Sequence, residues 1–195
     1  MSLIFDIGQG AGLAGSSGIR PFLPPLLAGA LARGDVGLDF SGTDYSFLES
    51  PWWLALLFAL AVASYLVERR RPNVVMSRQA ELVLGGLGIV FGALLFAGSL
   101  ADTGHTSWPG LIGGAACALL GFAAVAGLLR RTRRRLDASA ASFLTAYADL
   151  ISLALAGLAI LFPPISFVAL AGFVLLLMGG QRAGGQKYEG LRILR

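Results

Sequence analysis

Apolar residues fall into six blocks along this chain, separated by short polar or turn-rich breaks. The blocks run from about Leu3 to Ala32, Pro51 to Val67, Ala80 to Leu100, Trp108 to Leu129, Ala138 to Phe162 and Ile165 to Met178. A bilayer's hydrocarbon core takes roughly 20 apolar residues per helix. The pattern therefore predicts an all-α polytopic membrane protein with about six transmembrane helices. Residues 1–178 are read as a single helical domain and 179–195 as a basic, glycine-rich cytoplasmic tail. Pro51 suits the first turn of its helix. Trp52 and Trp53 suit an interfacial aromatic belt.

The first block differs from the others. It contains Gly15-Ser16-Ser17-Gly18-Ile19-Arg20-Pro21, a charge set among helix breakers. Charge and irregular backbone persist at membrane depth only where protein or water covers them. The first helix is thus expected to break over Gly15–Pro21. Glycine relaxes the backbone there, and Pro21 suits the start of a second half-helix. The free N–H groups of that half-helix would favour an anion or carboxylate beside Ser16, Ser17 and Arg20. In the fifth block, Ser142, Thr145, Asp149 and Ser152 follow helical spacing, and such a stripe should face the bundle interior. Arg20 has two readings: a solute-binding group, or one half of a structural ion pair with Asp149 or Glu81. The stripe also has two, a cation or proton site and plain interhelical hydrogen bonding. Glu81 follows Arg78 by three residues, the spacing of an intrahelical pair. Asp6 reads as interfacial.

Composition removes the soluble classes. The chain has 195 residues, 56% of them hydrophobic and 13% charged, where soluble domains carry roughly 25% charged residues. The single cysteine, Cys117, excludes a disulfide framework and reads as a small core residue. Met1 to Phe5 has no basic n-region and Asp6 follows at once, so the first block is expected to be retained.

Charge sets orientation. Apart from Arg20 and Arg33, every Lys and Arg follows the second, fourth or sixth block. These are Arg69, Arg70, Arg71 and Arg78; Arg130, Arg131, Arg133, Arg134 and Arg135; and Arg182, Lys187, Arg192 and Arg195. The other breaks hold acids, among them Asp35, Asp39, Asp44, Glu49 and Asp102. By the positive-inside rule, six crossings would place both N- and C-termini in the cytoplasm of a bacterial cell's inner membrane. If the first block is instead re-entrant, the N-terminus lies outside. The basic clusters read as topological anchors that touch anionic lipid headgroups, not as a nucleic-acid surface.

Several motifs have bland readings. Gly88-x-x-x-Gly92 and Gly110-x-x-x-Gly114 allow close helix packing, within the chain or in a homo-oligomer. Gly10-x-Gly12-x-x-Gly15 matches a dinucleotide fingerprint but lacks the strand and soluble βαβ unit that motif needs. Gly15-Ser16-Ser17-Gly18 matches Gly-x-Ser-Gly of rhomboid-type intramembrane proteases, but the only histidine, His105, falls in a distant loop. His105 is no metal ligand by itself, and no cofactor or enzyme chemistry is expected. Similar endings of the first and fourth blocks raise the question of a 3+3 inverted repeat, a common transporter design.

The stretch Ala14-Gly15-Ser16-Ser17-Gly18-Ile19-Arg20-Pro21-Phe22-Leu23-Pro24 resembles a family of small bacterial integral membrane proteins catalogued as a domain of unknown function. Its motif reads Ala-Gly-x-x-Gly-x-Arg-x-Phe-Leu-Pro, and Ser50-Pro51-Trp52 is similar to the start of its second span. Family members continue with Glu-x-x-x-Asp-Lys-x-Pro; here Ser64, Glu68, Arg69 and Arg71 take those positions, with Pro72 displaced by one. A later Glu-Asp pair appears as Ala148-Asp149. The resemblance implies membrane topology and brings no activity. The leading functional expectation is a small-solute or ion transporter or channel with a midplane site lined by Ser16, Ser17, Arg20 and Asp149. The alternative is a membrane scaffold that organises lipid or a partner, with Arg20 in a structural ion pair.

Overall fold

The computed structural model describes residues 3–70, 78–133 and 138–185. The helices are α1 (Leu3–Ile19), α2 (Leu23–Ala32), α3 (Pro51–Arg70), α4 (Arg78–Asp102), α5 (Trp108–Arg133), α6 (Ala138–Leu161) and α7 (Ile165–Gly185), with a 3-10 turn at Ser46–Glu49. The all-α expectation holds. Helices α3, α4, α5 and α6 each contain a stretch long and apolar enough to cross a membrane, and α2 and α7 hold shorter apolar stretches. Helix α7 continues past Met178 into the expected tail as far as Gly185.

Helix α1 is the axis of the bundle. Asp6 and every residue from Gly8 to Gly18 are buried. A helix that is apolar all round belongs inside, and its glycines and alanines let neighbouring backbones close in. Helix α4 runs antiparallel to it: Ser17 lies against Gly88, Ala14 against Gly92 and Gly10 against Phe96. Helix α7 runs parallel, with Gly12 against Ser166 and Gly15 against Phe173. Helix α5 brings Gly121 onto Gly15, and a β-carbon at Gly121 would lie 2.3 Å from the Gly15 carbonyl oxygen. Both expected glycine motifs are used inside the chain. Gly88 and Gly92 face α1, and Gly110 and Gly114 face α4.

The first block folds as a helical hairpin. Helix α1 has 17 residues, about 25 Å at 1.5 Å per residue. It turns at residues 20–22, and α2 runs back beside it. Gln9 Nε2 donates to the carbonyl of Gly37 just beyond α2 at 2.7 Å. The segment that follows folds into the bundle as a cap, with Leu38, Phe40 and Leu48 all buried in its core. Ser41 donates from its backbone and hydroxyl to Asp39 Oδ1, and these bonds hold that exposed carboxyl below its ordinary pKa.

Each end of the bundle has its own charge. Asp6 at the start of α1 lies near His105 in the α4–α5 turn, and Gly8 lies against Pro163 in the α6–α7 turn. That is the acidic end. The other end carries the arginine-bearing helix termini: the last turns of α3 and α5 and the first of α4. Because α7 runs parallel to α1, its C-terminal end also lies there. Leu3 and Gly185 therefore lie at opposite ends of the described bundle. Arg71, Arg134, Arg135, Lys187, Arg192 and Arg195 lie outside the described residues.

Candidate functional site

The break in the first block is shorter and later than expected. Gly15 to Ile19 remain helical, and only residues 20–22 lie between the two helices. Pro21 does not open α2. Its cap is Phe22, without a side-chain hydrogen bond, and the proline of its opening positions is Pro24, followed by Pro25. Proline has no N–H. Two donors of the kind that make a helix N-terminus an anion site are therefore missing, and α2 is a poor oxyanion hole.

Arg20 projects from the hairpin tip to two neighbouring helices. Its Nη1 donates to Glu68 Oε1 of α3 at 2.9 Å, and its Nη2 to the Thr145 carbonyl of α6 at 3.3 Å. Its Nε lies 2.6 Å from Asp149 Oδ1. The Nε–H does not point along that contact, so the attraction is Coulombic more than a directed hydrogen bond. Arg20 is 15% exposed, Glu68 16% and Asp149 31%. The guanidinium is thus shared by two carboxylates, and the three charges sum to one net negative.

Along α6 the triad sits 12 residues from Leu161, about 18 Å from the acidic end. Glu68 is near the end of α3.

The sequence-predicted residues separate into two sets. Arg20 and Asp149 meet. Ser16 and Ser17 are fully buried, and their hydroxyls donate back to the Leu13 carbonyl at 2.8 and 2.9 Å. Their protons serve their own helix. From the α6 stripe, Ser152 Oγ donates to the Ser16 carbonyl at 3.0 Å, while the side chain of Ser142 lies outside the described residues. Glu68 stands where Glu81 was considered. Its signal in the sequence is its place at the end of the second apolar block, at the Asp position of the Glu-x-x-x-Asp-Lys-x-Pro pattern. Phe22 joins Leu57 and Phe91 in a buried cluster, which holds the hairpin tip against α3 and α4. His105 is at the acidic end, remote from Ser16 and Ser17 along α1, so the protease-like motif has no histidine base beside it.

An axial helix that turns back on itself, charge buried at the turn and long apolar helices around it define a polytopic α-helical membrane protein. The chain belongs to the family described as Domain of unknown function (DUF4126), whose model matches residues 7–181. No curated protein and no solved structure matches it.

Proposed function

We propose that this protein moves a small cation, the proton included, across the membrane, and that the Arg20–Glu68–Asp149 triad is its exchange site. One observation carries the reading: two carboxylates from different helices share one guanidinium at the tip of an interrupted hairpin. An excess negative charge at membrane depth favours a cation or proton. An anion would have to displace two carboxylates already on Arg20. Asp149, the most exposed of the three, is the group that exchanges. The arginine end faces the cytoplasm by the positive-inside rule.

The test is flux into proteoliposomes that hold a pH-, sodium- or potassium-sensitive dye. Wild-type protein should dissipate one imposed cation gradient, and Asp149→Asn should slow it by about tenfold or more with an unchanged elution profile. Wild-type flux equal to that of empty liposomes for all three cations would overturn the proposal. So would an Asp149→Asn variant at full rate.

A second reading has its own observation. Arg20 is nearly covered and ties the hairpin tip to α3 and α6 at once, as a structural pin would. A non-transporting scaffold is the protein that results. It predicts a loss of thermal stability in Asp149→Asn and no flux in either protein.

A further inference from the structure

The opposite end of α1 holds a second polar cluster that the triad does not use. Asp6 is 1% exposed, and its Oδ2 has no hydrogen-bond partner. His105 Nδ1 lies 4.0 Å from that oxygen and 3.0 Å from Thr103 Oγ1. Thr103 Oγ1 itself stands 3.2 Å from the Leu100 carbonyl. Gln9, one turn beyond Asp6 on the same face, uses its Nε2 on Gly37. Its Oε1 faces Ser99 Oγ at 3.3 Å, and that hydroxyl is also 3.3 Å from the Asp6 carbonyl. One hydroxyl proton cannot serve both oxygens.

Acceptors therefore outnumber donors. The charges are unbalanced in the same sense. From α1 comes Asp6, from α4 Asp102, from the cap Asp39, whose N–H donates to Asp102 Oδ2 at 3.3 Å, and from the α4–α5 turn His105. The α6–α7 turn adds Pro163 and no charge against Gly8. A buried carboxylate oxygen left unpaired is costly. An oxygen-rich cluster with excess negative charge is the setting that hard cations occupy. Among the described residues no three His, Cys, Asp or Glu side chains gather as a metal set. One buried carboxylate with neutral hydroxyl and amide oxygens suits a single positive charge instead.

We infer that the cluster binds an alkali cation on Asp6, within an oxygen set that includes Gln9 Oε1 and Ser99 Oγ. His105, 42% exposed, lies over its aqueous side. The site stands on its own coordination chemistry, and only its place in a transport cycle rests on the reading above.

The experiment is thermal unfolding of the purified full-length protein in detergent, in lithium, sodium, potassium or choline chloride at equal ionic strength. A ligand that binds only the folded state raises Tm. At least one alkali salt should raise it saturably over choline, by about 5 °C. Measured in an Asp149→Asn background, where the triad has lost its exchanging carboxylate, Asp6→Asn and Ser99→Ala should each lose that shift, which separates this site from the triad. Equal Tm values in all four salts would overturn the inference, as would an Asp6→Asn variant that retains the shift. Should Asp6→Asn not fold, sodium NMR relaxation decides. Wild-type protein should broaden the line and Ser99→Ala should broaden it less; no broadening, or equal broadening, overturns the site.

Discussion

Arg20 makes contacts that lysine cannot reproduce. Its planar fork reaches α3 and α6 at the same time, whereas an ammonium is a point charge. Arg20→Ala strands two carboxylates beside each other, and breaking a buried pair in this way costs about 3 kcal/mol, less for the part of Asp149 that solvent screens. Arg20→Lys should recover less than half of that loss in chemical denaturation, and full recovery would argue against the forked geometry. Ser16 and Ser17 make the complementary case. Both are buried with their protons on Leu13. In a Cys117→Ala background, Ser16→Cys and Ser17→Cys should resist a small charged thiol reagent, and Ser41→Cys, on the exposed cap, should label. Fast labelling at either serine would show an aqueous path that this conformation does not contain.

Close helix contact depends on a few positions in α1 and its neighbours. A β-carbon at Gly18 would lie 2.0 Å from the Ala118 carbonyl oxygen of α5. Backbone cannot step aside as a side chain can, so Gly18→Ala should cost about 1–3 kcal/mol through overpacking. Gly86, on α4, meets nothing within 4 Å, and Gly86→Ala should be neutral or gain up to about 1 kcal/mol of helix propensity. Thermal unfolding of the two variants side by side checks the contrast. The cap has a different sensitivity. The Asp39 carboxyl is depressed by its bonds from Ser41, so that contribution is complete above the unfolded pKa and is lost as pH falls through the lower folded value. Acid should therefore loosen the turn at residues 39–41. Ser41→Ala should remove that acid response, as read by hydrogen exchange.

For the whole molecule, the hairpin decides topology. Entry and exit of α1 and α2 at the acidic end leave α3 to α7 to alternate, so the first and last described residues lie at opposite ends of the bundle. Fusion of paired reporters, one active only in the cytoplasm and one only outside it, should report the C-terminus inside and the N-terminus outside. Both termini inside would mean that the first block crosses after all.

The sequence alone was enough to determine the class, the apolar blocks and the charge asymmetry. Membrane helices need long apolar blocks with polar ends, and both are local properties of the chain. It also singled out Arg20 and Asp149, because an ionisable residue in an apolar block is conspicuous without any partner in view. Tertiary packing decided the rest. No local feature pairs Glu68 with Arg20 until the hairpin tip arrives beside it. Asp6 looks interfacial, and His105 isolated, until the α4–α5 turn folds over the start of α1. Whether an apolar block crosses or returns depends on what covers its break, here Glu68, Asp149 and the Phe22 cluster. Those contacts join residues far apart in the chain, and no local pattern encodes them.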